Sequence, residues 1–228
     1  MKLKYEIVYE DNHLLIVHKP AGILVQGDKT GDFTLVDLYK KYLKDTYNKP
    51  GNIFLGLVHR IDRPVSGLVI LAKTSKALER MTKLFQRREI SKTYWAMVKQ
   101  RPPDEEGRLT HWLLKDRQKN IARVHKSDKN GAKKAILEYR MLGRIGEFYL
   151  LEVEPLTGRP HQIRAQLAEI GCPIVGDVKY GFNRANRDGS IQLHAKALRF
   201  SHPVKDKLVT LDTRPTNSEM WKLFRDFR

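Results

Sequence analysis

Apolar residues along this chain come in short runs separated by turn formers. Tyr5–Tyr9 and Leu14–His18 flank Asp11-Asn12-His13, which predicts two short strands around a turn. Lys19-Pro20-Ala21-Gly22 then breaks the pattern. Leu35–Tyr47 has helical spacing, with Asp32 or Thr34 near its cap, and Asn48–Asn52 reads as a loop. Leu68–Lys73 predicts a buried strand. It feeds a helix capped by Ser75, in which Leu78, Met81, Leu84 and Phe85 recur at helical spacing beside Ala77. Lys92–Val98 is a further strand, Pro102–Gly107 a surface loop, and several β segments follow, among them Glu147–Glu154. Pro160–Ile170 predicts a helix that starts on proline, ends at Gly171 and buries a stripe of Ile163, Leu167 and Ile170. Leu193–Phe200 and Leu208–Leu211 are later strands, and Asn217–Phe227 is a closing amphipathic helix anchored by Trp221 and Phe224.

Strands outnumber helices and do not alternate with them as in a doubly wound fold. The expected class is therefore α+β, with a mixed, mostly antiparallel sheet flanked by a few helices. No repeat, low-complexity tract or linker divides the 228 residues, so a single domain over 1–228 is expected. No apolar run approaches the roughly 18–20 residues a membrane span requires, and the N-terminus turns acidic too early for a signal peptide. A cytoplasmic protein with no membrane partner, monomeric by default, is the expectation. The single cysteine, Cys172, excludes a disulfide framework and multi-thiolate metal sites, and reads as a packed small residue. The eight histidines lack ligand spacing, which argues against a metal-dependent nuclease. No metal and no cofactor are expected.

Charge narrows the partner. The net charge is +17, and residues 73–134 alone carry 18 basic against 7 acidic side chains, a net of +11. A polyanion is required, nucleic acid first. On the helix after Ser75, the residues Lys76, Arg80, Lys83 and Arg87 share the side opposite the apolar positions. They form either a stripe that tracks RNA phosphates or a solvated face. The basic stretch Lys115–Lys134, with its Lys129-Asn130-Gly131 turn, is either an RNA-contacting hairpin or a solvated loop.

Two segments are dense in chemistry. His59-Arg60-Ile61-Asp62-Arg63-Pro64-Val65-Ser66-Gly67 sets a carboxylate between two arginines, ahead of an apolar strand. Flanking cations favour an ionised Asp62, suited to a nucleophilic or electrostatic role, while a turn-capping Asp62 with solvated arginines fits the same residues. In Thr157-Gly158-Arg159-Pro160-His161-Gln162-Ile163-Arg164, Arg164 lies beside the buried stripe and then needs a carboxylate partner. The helix start, with Arg159 and His161, can receive a phosphate.

With these residues the chain resembles the RluA family of pseudouridine synthases, which isomerise uridine in RNA. The segment His59–Arg63 with Ser66-Gly67 matches that family's catalytic motif. Lys92-Thr93-Tyr94 with Ala96 and Val98 matches its tyrosine motif. Thr157–Arg164 with Gly171, Pro173, Gly176-Asp177 and Tyr180-Gly181 matches its arginine motif. His18–Gly22, Leu193–Ala195 and His202-Pro203 also fit, in the family's order. The resemblance implies that Asp62 is the catalytic aspartate, that Tyr94 stacks on the base and moves a proton, and that Arg164 pairs with Asp62. It further implies that Ile163 packs under the base and that Arg60 replaces the extruded nucleotide, with His161 and Arg63 as further substrate contacts. The implied substrate is ribosomal or transfer RNA, and the implied reaction needs no redox change. Asp62 acts either at C1′ or as a base at C2′. The implied organisation is a catalytic domain without the small N-terminal S4 domain of many relatives. Departures are Ile61 for a usual Leu, Val65 where Thr is common, and Gln166 where His is frequent; none falls on Asp62, Tyr94 or Arg164. A non-catalytic RNA-binding or ribosome-assembly protein on the same scaffold fits the charge equally, but leaves the Asp62, Tyr94 and Arg164 set without a purpose.

Overall fold

The structure, a computed structural model, describes residues 6–27, 31–215, 219–224 and 226–227. The chain groups into two compact units. One holds residues 1–90 and 195–214, the other residues 91–194 and 215–228.

In the first unit, β1 (Ile7–Glu10) and β2 (Leu14–Lys19) form an antiparallel hairpin. Asp11 closes it, its Oδ1 accepting the backbone N–H groups of His13 and Leu14 at 2.8 and 2.9 Å. β2 pairs antiparallel with β4 (Ser66–Ala72), and the two-residue β3 (Gly56–Leu57) pairs with the far end of β4. β10 (Leu193–Ser201) follows β4 in the sheet order, and β11 (Leu208–Asp212) lies antiparallel on β10. All of β2 is buried, so its apolar run without alternation reflects cover on both faces. Alternate residues of the strands (Leu14 and Ile16, Leu68 and Ile70, Leu198 and Phe200) share one core with Ala77 and Met81 of α2 (Ser75–Arg87). Gly67 has φ +117, and a Cβ there would run into the backbone carbonyl and amide of Ala195, so only glycine fits where β4 begins.

Local start signals decide both helices of this unit. α1 (Leu35–Thr46) begins with a capping box in which Thr34 and Asp37 satisfy each other's backbone N–H. α2 is capped by Thr74 rather than Ser75: the Thr74 hydroxyl accepts the Ala77 N–H at 3.1 Å, and Ser75 is the first helical residue.

In the second unit five strands follow one another antiparallel in the order β5 (Ser91–Val98), β9 (Phe148–Pro155), β8 (Lys133–Ile145), β6 (Glu106–Asp116), β7 (Ile121–His125). α3 (Gln162–Glu169) sets Ala165 against Leu113, Ala122 and Ala135, and three alanines at that contact bring the helix close to the sheet. The helix is shorter than expected. His161 stands at its cap with φ 54, in the left-handed region, and leaves Pro160 outside. Its apolar stripe is also not its only buried face: residues 162–167 are all buried, so its polar side chains need partners. The closing helix contracts to α4 (Glu219–Lys222); residues 217, 218 and 225 of the expected span lie outside the described residues, as does residue 5 of the first strand. Trp221 and Phe224 are its anchors, packed with Trp95, Met97, Leu150 and Val175. The class is α+β, as the hydrophobic pattern predicted.

Candidate active site

Asp62, Arg60 and Arg63 stand on one loop of the first unit. Ile61 and Val65 are buried on either side of Asp62, and the Val65 N–H closes a turn on the Asp62 carbonyl at 3.0 Å. These anchors hold Asp62 half-buried while Arg60 is exposed. His59 fixes the entry to the loop. Its Nε2 accepts the Ile70 N–H at 3.1 Å, and its ring stacks on Phe85 of α2 at 5.0 Å. Since Nε2 accepts, the ring proton of neutral His59 sits on Nδ1. Arg63 is exposed and tied to a neighbouring loop. It donates to the Gly22 carbonyl at 3.0 Å and pairs with Asp32 at 3.0 Å.

A residue that the sequence reading passed over underlies this loop. Lys19 is fully buried, and its ammonium donates to the carbonyls of Pro20, Ile23 and Arg63 at 2.9, 3.0 and 3.1 Å. Three donors meet three acceptors, one of them on the residue after Asp62. Burial pushes the Lys19 ammonium down to about 7; the Asp62 charge pulls the other way and Arg63 adds to the fall. A lysine closing the apolar run Leu14–Val17, just before Pro20-Ala21-Gly22, was the available signal.

Tyr94, His161, Ile163 and Arg164 belong to the second unit. Tyr94 lies half-buried on β5 opposite Val153, ahead of the buried run Trp95–Val98. The turn into α3 is organised by Gln162. Its Oε1 accepts from the Thr157 hydroxyl at 2.7 Å and the Arg159 N–H at 3.0 Å, while its Nε2 donates to the Ile136 carbonyl at 2.9 Å. Ile163 and Arg164 follow directly and are buried. The carboxylate that buried Arg164 requires is provided within this unit by Asp177. Nε and one Nη donate to the two Asp177 oxygens at 2.7 and 2.8 Å. The expectation of an Asp62 partner left this residue out, although Asp177 follows Gly176 in the matched motif. Side-on bidentate pairing fixes the plane of the guanidinium and satisfies a charge pair that would otherwise be costly to bury. Gln166, in place of the family's frequent His, stays buried and donates to the carbonyls of Leu109 and Ala135 at 3.2 and 3.3 Å.

The basic face of α2 divides. Lys76 and Arg87 are exposed. Arg80 donates to the Pro203 carbonyl at 2.8 Å, and Lys83 pairs with Glu79 at 2.6 Å. The stretch 115–134 forms the β6–β7 hairpin and a turn in which the Ala132 N–H donates to Lys129. Cys172 is buried, which pushes its thiol up to about 11. Among the described residues no three His, Cys, Asp or Glu side chains cluster as metal ligands, and no helix is long and apolar enough to cross a membrane.

Residues 13–169 match the family model described as RNA pseudouridylate synthase. The chain belongs to that family. Ribosomal large subunit pseudouridine synthase C of Buchnera aphidicola is 36% identical over 86% of this chain and 63% of its own length. The Vibrio cholerae protein of the same name is 34% identical over 90% of the chain and 64% of its own length. The chain thus spans a little under two thirds of these relatives. Vibrio cholerae tRNA pseudouridine synthase C, 34% identical, is matched over 95% of this chain and 93% of its own length. The fold agrees with the solved structure of human RNA pseudouridylate synthase domain containing 4, at a TM-score of 0.77 and 22% identity, covering 95% of this chain and 90% of that one.

Proposed function

We propose that this pseudouridylate synthase family member isomerises specific uridines of ribosomal or transfer RNA, as a monomeric, cytoplasmic, cofactor-free and metal-free enzyme whose two units make up one catalytic domain. The observation that carries the reading is the Asp62 turn: a half-exposed carboxylate on a loop pinned by buried Ile61 and Val65, by His59 and by the Lys19 ammonium. A carboxylate on a backbone anchored at these points suits attack at a sugar carbon, because orientation rather than strength limits such a group.

In the proposed reaction the N1–C1′ bond breaks, the uracil turns, and C5 bonds to C1′. The C5 proton leaves, the freed N1 gains a proton, and no electrons are gained or lost. Asp62 acts on the sugar, at C1′ or at the C2′ proton. Tyr94 stacks on the base and takes part in removing the C5 proton. Arg164, held by Asp177, brings positive charge to the carboxylate, and Ile163 packs beneath the base. Arg60, His161 and Arg63 contact the substrate, and Lys76, Arg80, Lys83 and Arg87 meet its backbone. The target uridine must leave its stack, which costs roughly a few kcal/mol and favours loops.

RNA carrying 5-tritiated uridine, taken from cells that lack this gene, tests the reading by release of tritium to water. The wild-type protein is expected to release it. Asp62→Asn is expected to bind the same RNA and release at least ~10³-fold less, the scale for loss of a covalent or acid–base group. Turnover retained in Asp62→Asn would overturn the assignment. Separate ribosomal and transfer RNA fractions then distinguish the two substrate classes.

A further inference from the structure

We infer that Tyr180 is a positioning residue for this reaction, setting the pose of Arg164 through its ring and its hydroxyl together. The inference rests on the proposed isomerisation, in which Arg164 takes part. Tyr180 closes the short 3-10 turn Val178–Tyr180, whose other two residues are exposed, so the turn makes its contact with the scaffold through this ring. The Arg164 guanidinium carbon lies 5.0 Å from the ring centroid, over the aromatic face. Asp177 grips the same guanidinium by its edge. Edge and face are two independent constraints, and together they leave the planar group one orientation.

The hydroxyl acts on the backbone that carries Arg164. Tyr180 Oη accepts the Ala122 N–H of β7 at 2.7 Å and meets His161 Nδ1 at 2.8 Å. A hydroxyl has one proton and two lone pairs, so it can take the amide N–H and still give its proton to neutral His161. The His161 ring also meets the Tyr180 ring edge-on, at 5.8 Å. His161 is the left-handed residue at the start of α3, with φ 54. A histidine keeps that conformation only where its surroundings impose it. Tyr180 supplies that restraint, and α3 starts at the next residue, placing Ile163 and Arg164. One side chain thereby ties β7, the α3 start and the Arg164 plane together.

The test compares tritium release by wild type, Tyr180→Phe and Tyr180→Leu on the same tritiated RNA, with Asp62→Asn as the inactive control. Tyr180→Phe keeps the ring over Arg164 and loses both hydroxyl contacts; Tyr180→Leu loses everything. Misplacement by about 1 Å costs roughly 10²-fold, so kcat is expected to fall about 10-fold in Tyr180→Phe and about 100-fold in Tyr180→Leu, with KM within about twofold of wild type. Graded loss in kcat with partial rescue by Phe supports positioning. Unchanged kcat in both variants, or a loss confined to KM, overturns it. Where Tyr180→Leu does not fold, Tyr180→Phe decides by the same criterion. Should wild type itself release no tritium, the isomerisation reading fails. Hydrogen exchange in Tyr180→Phe then decides the positioning of Arg164 separately: faster exchange at the Ala122 amide and at 162–166 supports it, and unchanged exchange overturns it.

Discussion

Lys19 shows what a single buried charge does in this fold. Its ammonium holds the carbonyl beside Asp62, and burial brings it down to about 7 from an ordinary lysine value of 10.5. In the unfolded chain the same amine keeps its proton to much higher pH. Between pH 7 and 10.5 the unfolded state therefore binds more protons, and the folded state gains relative stability as pH rises. The cost of burying the charge is fully present below pH 7. Lys19→Met removes this titration, so the stability of wild type minus that of the variant is expected to rise by roughly 1–3 kcal/mol between about pH 7 and about pH 9.5, read from urea midpoints. A pH-independent difference would show that the amine is not buried in this way. The apolar run Leu14–Val17 ahead of Lys19 hints at its burial, but nothing in the sequence around it names its partners. Asp62 was legible because its arginine flanks and Ser66-Gly67 are local features, whereas Lys19 acts through a residue 44 positions away. Asp177 escaped notice for a similar reason: its partner lies 13 residues back, on a helix for which the resemblance had already implied another carboxylate, Asp62.

At the level of elements, the hydrophobic period located both helices of the first unit and most strands, and it missed by one residue where two capping residues compete. Thr74 and Ser75 carry the same hydroxyl, and only the backbone shape decides which caps. Thr74 is extended at φ −138, ψ 152, as a cap must be. Thr74→Ala is expected to cost about 1 kcal/mol of stability by urea unfolding, with Ser75→Ala nearer zero and tritium release per folded enzyme unchanged in both. Equal costs would return the cap to Ser75. α3 departs further from expectation. Proline at a first helical position is a sound local rule, but His161 in the left-handed region interrupts it. That conformation is imposed by a side chain from the 178–180 turn, which no window around Pro160 contains.

For the whole molecule, the charge acts as a field as well as a set of contacts. Of the four cations on α2, Arg80 and Lys83 already have protein partners, and Lys76 and Arg87 are exposed. Lys76→Gln with Arg87→Gln is expected to weaken binding of a fluorescent RNA hairpin and to reduce the slope of log K against log salt by about 0.7–0.9 per lost phosphate contact. Arg80→Gln with Lys83→Gln is expected to change the slope by less than half as much. Equal slopes in all three proteins would remove α2 from the RNA interface. The sequence by itself determined the α+β class, the family and the segments that bear the chemistry, because hydrophobic period, turn chemistry and ordered motifs are properties of neighbouring residues. Which side chain completes each charge was left to the tertiary structure. Lys19 under the Asp62 loop, Asp177 on Arg164 and Tyr180 on His161 are pairings made by chain returning from elsewhere, and a buried polar group takes whichever partner the packing delivers.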